Sequence, residues 1–107
     1  MPVVGDFFDI NQPTAGQTFT RSGGSAAHAM VSVAGDCYSN SVVSVTMIGP
    51  NNNSTQTATT QTRTATPTRQ GSAGYIWSAG EFGLYSPGTY TVEAKNTMSQ
   101  SNGFTVV

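Results

Sequence analysis

A chain of 107 residues has room for one hydrophobic core of modest size and too little for two. Only 8% of its residues are charged and the net charge is −1, which excludes the basic footprint of a nucleic-acid binder and the acidic run of a charged tail. Arg21, Arg63, Arg69 and Lys95 are scattered, so long-range steering of a charged partner is expected to be weak.

Leu84 is the only leucine, so Val, Phe and Ala must fill the core, which suits thin sheet packing better than helices. Cys37 is the single cysteine; no intrachain disulfide can form, and the residue is expected to act as a small buried hydrophobe. No apolar run is long enough to span a membrane, and no membrane partner is expected. Met1–Asp6 lacks the basic start and apolar run of a signal peptide. The chain is therefore read either as a whole protein made in the cytoplasm or as a module cut from a larger secreted one.

Residues 3–10 read as a first strand, with Phe8 and Ile10 on one face and Phe7 and Asp9 on the other. Pro13 to Gly16 is a turn, and residues 17–21 continue as a short strand carrying Phe19. Ser22-Gly23-Gly24-Ser25 is a loop. From Ala27 to Gly35, Ala29, Val31 and Val33 alternate with His28, Met30 and Ser32, which predicts a strand with the first set inward. Gly35-Asp36 is expected to end it, leaving Cys37 to Ser41 as a connection that bears Tyr38 and Asn40. Val42 to Ile48 is the strongest β run, and its β-branched aliphatics suit a buried strand. Gly49-Pro50 and the surface run Asn51, Asn52 and Asn53 stop it.

Thr recurs at 55, 57 and 59 and then at even positions from 60 to 68, so the alternation slips by one residue between Thr59 and Thr60. That slip predicts one bulged edge strand or two strands over 55–68, with Thr facing water. Pro67 fits a strand end or an edge. Gly71 to Gly74 is a loop. Tyr75-Ile76-Trp77 is a short strand with Trp77 inward, Tyr75 partly buried and Ile76 outward. Gly80 to Tyr85 reads as a corner with Leu84 tucked in, and Pro87-Gly88 as a turn. In the strand that follows, Tyr90, Val92 and Ala94 point one way and Thr91, Glu93 and Lys95 the other. Asn96 to Gly103 is read as the last hairpin connection, with Phe104 and Val106 in a final strand. About seven short strands, with turn signals at roughly 8–12-residue spacing, predict a single all-β domain over 1–107 built as a two-sheet antiparallel sandwich.

The segments Val31-Ser32-Val33-Ala34-Gly35, Gly88-Thr89-Tyr90-Thr91-Val92-Glu93-Ala94 and Phe104-Thr105-Val106, with Ile10, Pro13, Gly16, Trp77 and Leu84, resemble a bacterial or phage immunoglobulin-like domain. The resemblance covers nearly the whole chain and implies an immunoglobulin-like sandwich. Gly88-Thr89-Tyr90-Thr91-Val92 is similar to a tyrosine corner, whose phenol caps a backbone group while its ring packs inward. Val92 stands where antibody domains place their second cysteine. Members of this broad family decorate phage capsids and tails, space out adhesins or accompany glycoside hydrolases.

Little in the chain points to catalysis. His28 is the only histidine, and no nucleophile elbow accompanies it. Asp6, Asp9, Asp36, Glu81 and Glu93 fall on turns and an outward strand position rather than as a catalytic pair. One Cys and one His give no zinc set, and Asp9, Asn11 and Asp36 supply calcium-type oxygens without an EF-hand loop. No catalytic, cofactor or metal residue is predicted, and the chain is read as a non-enzyme without cofactors. Tyr38 and Tyr85, on connections, are the candidate faces for stacking sugars, with Asn40 beside them; Asn51, Asn52 and Asn53 complete the candidate contacts. The leading expectation is a structural or attachment protein of a phage virion, either a capsid decoration or a tail or fibre component, assembled on a protein scaffold. The alternative is an extracellular module at a bacterial cell surface that binds glycan or spaces an adhesin.

Overall fold

The clean alternation around Tyr90 becomes a strand in which Tyr90, Val92 and Ala94 are completely buried. The computed structural model describes residues 7–24, 27–50, 60–70 and 74–107. Among them are nine strands: β1 (Phe8–Gln12), β2 (Thr18–Phe19), β3 (Ala29–Cys37), β4 (Val43–Ile48), β5 (Thr60–Ala65), β6 (Thr68–Gln70), β7 (Gly74–Leu84), β8 (Gly88–Lys95) and β9 (Ser99–Val106). They form a four-stranded sheet of order β1-β3-β7-β6 and a five-stranded sheet of order β2-β9-β8-β4-β5. Pairing is antiparallel throughout except between β2 and β9, which run parallel. The inner faces pack Val31, Val33 and Phe82 of one sheet with Val45, Met47, Tyr90 and Phe104 of the other, which makes an all-β two-sheet sandwich.

Nine strands stand where about seven were expected. The difference arises because two segments change sheet. The first strand leaves the four-stranded sheet after Gln12 and rejoins the other as β2. The threonine segment does the same between β5 and β6, so it forms two strands. The break falls at Thr66-Pro67, where proline has no N–H to continue a ladder. Thr62, Thr64, Thr66 and Thr68 face water, as expected. Thr55, Thr57 and Thr59 lie outside the described residues, as do residues 3–6, Ser25 and 71–73.

Three readings of the sequence need correction. First, β3 does not end at Gly35-Asp36 but runs on to Cys37. Gly35 continues the inward set; a Cβ there would collide with the Asp9 carbonyl and lie 2.6 Å from the Trp77 ring. The glycine therefore marks close approach within a strand, not its end. Second, Tyr75–Trp77 and the expected corner at Gly80–Tyr85 belong to one strand, β7. Its register against β3 shifts between Val33 and Ala34, leaving Ala79 as the extra residue of a bulge beside Gly80, whose φ is +75°. Third, Ser99–Gly103 is strand rather than connection: Lys95 pairs with Ser99 and Thr91 with Gly103. In β4, moreover, only Val43, Val45 and Met47 are buried, while the flanking Val42 and Ile48 are exposed.

The polar residues in these misread stretches serve the irregular backbone. Gln100 Oε1 accepts the Ile10 N–H at 2.8 Å, and Asn102 Nδ2 donates to the carbonyls of Pro13 at 3.0 Å and Ile10 at 3.4 Å. Both side chains therefore satisfy groups at the point where β1 leaves its ladder. Arg63 reaches from β5 across to β7, donating from Nη1 to the carbonyls of Ala79 at 3.0 Å and Glu81 at 2.8 Å. Its guanidinium carbon sits 3.9 Å from the centre of the Phe82 ring, closing the edge of the sandwich with a cation–π contact.

The phenol of Tyr90 donates to the carbonyl of Ser86 at 2.7 Å, four residues upstream. Its ring stacks on Phe104 at 5.7 Å, and a Cβ on Gly49 would run into it. Tyr90→Phe should therefore lower unfolding free energy by about 1 kcal/mol in urea titrations. Gly49→Ala should cost about 1–3 kcal/mol through overpacking against that ring. Val92→Asp should abolish the cooperative transition, because it buries an unpaired charge; a folded Val92→Asp protein would reverse the assignment of inner and outer faces.

Candidate functional site

The four-stranded sheet ends in a cross-strand row. Cys37, the last residue of β3, pairs with Tyr75 of β7, which in turn pairs with Arg69 of β6. Cys37 is fully buried, Tyr75 half-buried and Arg69 exposed, so the row passes from core to solvent. Just past the end of β3 the chain turns away through Tyr38, Ser39 and Asn40. Together, Tyr38, Ser39, Asn40, Arg69, Gly74 and Tyr75 line an open cleft of about 430 Å³. That volume lies within the range of small-molecule sites, roughly 300–1,000 Å³.

The walls are held from several directions. Tyr38 donates its backbone N–H to the Phe7 carbonyl at 3.0 Å, and its exposed ring meets the Phe7 ring edge-on at 6.4 Å. Ser39 Oγ accepts the Ser41 N–H at 3.1 Å and pairs with Ser41 Oγ at 3.0 Å. Asn96, from the β8–β9 turn, donates to the Ser41 carbonyl at 3.3 Å. Below them the Cys37 thiol donates to the Ser39 carbonyl at 3.1 Å. Arg69 Nη1 lies 3.4 Å from the Tyr75 hydroxyl, with the guanidinium 5.8 Å from the ring centre. Among the described residues the lining thus offers phenols, an amide, a hydroxyl and a guanidinium, and no carboxylate.

Of the contacts expected from sequence, Tyr38 and Asn40 come together here. Tyr85 does not. It follows Leu84, which pairs with Ala29 at the opposite end of β3. Nine residues of strand at about 3.3 Å each put it roughly 30 Å away. There its ring stacks on His28 at 4.8 Å, and its carbonyl accepts a hydrogen bond from Arg21 at 3.1 Å. Asn51, Asn52 and Asn53 lie outside the described residues. Arg69 and Tyr75 were not singled out as site residues. The available clue was their place on either side of the turn signal Gly71–Gly74; β6 and β7 pair antiparallel, which makes the two cross-strand neighbours. Among the described residues no three His, Cys, Asp or Glu side chains are grouped as a metal site would need.

Burial pushes the Cys37 thiol above its ordinary range, with Asp36 adding to the push and a hydrogen bond with Asn96 opposing it. Burial likewise raises Tyr90, against the opposing effect of its bond to Ser86. The folded chain thus holds both protons more tightly than the unfolded one. Stability from these groups is complete below their ordinary values, roughly 8.5 and 10, and is lost as pH rises through the folded values. Unfolding free energy should accordingly decline above about pH 8.5, with Cys37→Ala removing the earlier part of the decline. A thiol reagent at neutral pH should label Cys37 only upon unfolding; rapid labelling of the native protein would contradict its burial.

No family model matches the chain, and no curated protein sequence is similar to it at a significant level.

Proposed function

We propose that this chain is a non-enzymatic, immunoglobulin-like attachment module whose contact site for carbohydrate is the Tyr38 cleft. The strand order supports the family reading. β1-β3-β7-β6 follows the A-B-E-D order of immunoglobulin domains, and β9-β8-β4 follows G-F-C. The bond from Tyr90 to Ser86 falls on the strand where those domains carry a tyrosine corner.

The observation that carries the carbohydrate reading is the pairing of two tyrosines with an amide and a guanidinium around one open cleft. Tyrosine faces offer a flat apolar platform with a polar tip, and Asn40 and Ser39 supply donors and acceptors for sugar hydroxyls. A glycan array followed by calorimetry tests it. Tyr38→Ala should abolish binding, whereas Tyr85→Ala, at the far end, should leave it unchanged. Absence of binding to any glycan by the wild-type protein would remove the reading.

Attachment to a protein scaffold, such as a phage capsid or tail, is the second reading, and the β5 edge favours it. β5 pairs with β4 over six residues without a register shift and, among the described residues, forms the outer strand of its sheet. Between Thr60 and Ala65 it carries no Pro, Lys or acidic residue, and its one charge, Arg63, is engaged by the Ala79 and Glu81 carbonyls of β7. Such a strand adds to a partner sheet through main-chain hydrogen bonds. Binding of this type should change less than about twofold between low and moderate salt, because few charges take part; a steep salt-dependent loss in co-sedimentation with the scaffold would count against it.

A further inference from the structure

We infer that the cleft selects an acidic sugar, a pyranose bearing a carboxylate, with Arg69 as the residue that sets the preference; this rests on the carbohydrate reading above. Among the described residues that line the cleft, Arg69 is the one cation and none is a carboxylate. Its recorded polar contact is with the Tyr75 hydroxyl through Nη1, at 3.4 Å. A guanidinium has five N–H donors, so most of the fork stays available to a ligand.

The position is also restrained. Arg69 sits directly opposite Tyr75 in the β6–β7 ladder, and its guanidinium lies beside that ring. A planar fork beside the Tyr75 phenol can meet a carboxylate in two parallel hydrogen bonds, which a lysine in the same place would not reproduce. Tyr38 and Asn40 stand on the β3 side of the cleft and Arg69 on the β6 side, with Tyr75 between. A pyranose stacked on Tyr38, with hydroxyls toward Asn40, would direct its carboxylate to the Arg69 side. The arrangement would suit the low overall charge of the chain, since one short-range pair does the sorting without long-range attraction.

The test is calorimetric titration with matched oligosaccharides that differ only in a terminal glucuronate or glucose. The wild-type protein should bind the glucuronate form about tenfold or more tightly. Arg69→Gln should erase that preference, bringing the two affinities together, and Arg69→Lys should restore only part of it. Thermal melts of both variants should match the wild type, because Arg69 is exposed. Equal affinity of the wild type for both sugars, or a preference that survives Arg69→Gln, would overturn the inference and leave the carbohydrate reading standing. Failure to bind either sugar would overturn both. A sulfated sugar with no carboxylate serves as a third ligand; tighter binding to it than to glucuronate would reassign the site to sulfate.

Discussion

The buried phenol of Tyr90 is the contact on which the rest of the sandwich depends. Its hydroxyl bonds the carbonyl of Ser86, its ring stacks on Phe104 of β9, and the same ring fills the space beside Gly49 at the exit of β4. One side chain thus fixes the turn before β8 and the positions of both strands that flank β8. The constraint works through penalties as much as gains. A buried hydroxyl without a partner costs more than the bond itself contributes, so the turn cannot relax away from the phenol. Gly88 belongs to the same arrangement, since a Cβ there would press to 2.7 Å of the Pro50 ring.

A second constraint comes from the two segments that change sheet. Each crossing takes backbone groups out of a ladder, and a buried peptide group must find a partner elsewhere. Gln100 and Asn102 on β9 receive the Ile10 and Pro13 groups that β1 leaves behind. Arg63 on β5 does the equivalent for the Ala79 carbonyl at the β7 bulge. In both cases the helper belongs to the five-stranded sheet and the irregularity to the four-stranded one. These long-range bonds join the two layers where apolar packing alone would leave the edges open.

The same residues explain what could and could not be read from the sequence. Period-2 alternation in β3 and β8 announced its own inner face, and Ala29, Val31, Val33, Tyr90, Val92 and Ala94 are buried as that pattern required. The Tyr90–Ser86 bond was legible too, because its partner lies only four residues away. Ser99–Gly103 was not, because its polar residues bond to residues about ninety positions earlier, and composition carries no trace of such a partner. Gly35 and Gly80 misled for a related reason. Glycine signals a turn in local sequence, but here it marks a neighbouring backbone in one case and a bulge in the other. Half of the cleft was legible in Tyr38 and Asn40; Arg69 joined it only through the β6–β7 register.

The contrast between the two ends of the β3–β7 pair shows how the fold divides its tyrosines. Tyr38 and Tyr85 both stand just beyond a strand end, and local sequence treats them alike. At the Tyr85 end the ring packs on His28 and the backbone carbonyl is taken by Arg21. At the Tyr38 end the neighbours are anchored by one another instead: Ser39 to Ser41, Ser41 to Asn96, Cys37 to Ser39. The loop there is held without drawing on the exposed Tyr38 ring or the Asn40 amide, beyond the edge contact to Phe7. A residue becomes available to a ligand when its surroundings are already satisfied. By that criterion the two ends of the sandwich differ: above the buried Cys37 thiol, Tyr38 and Asn40 remain exposed, whereas the Tyr85 ring is packed on His28.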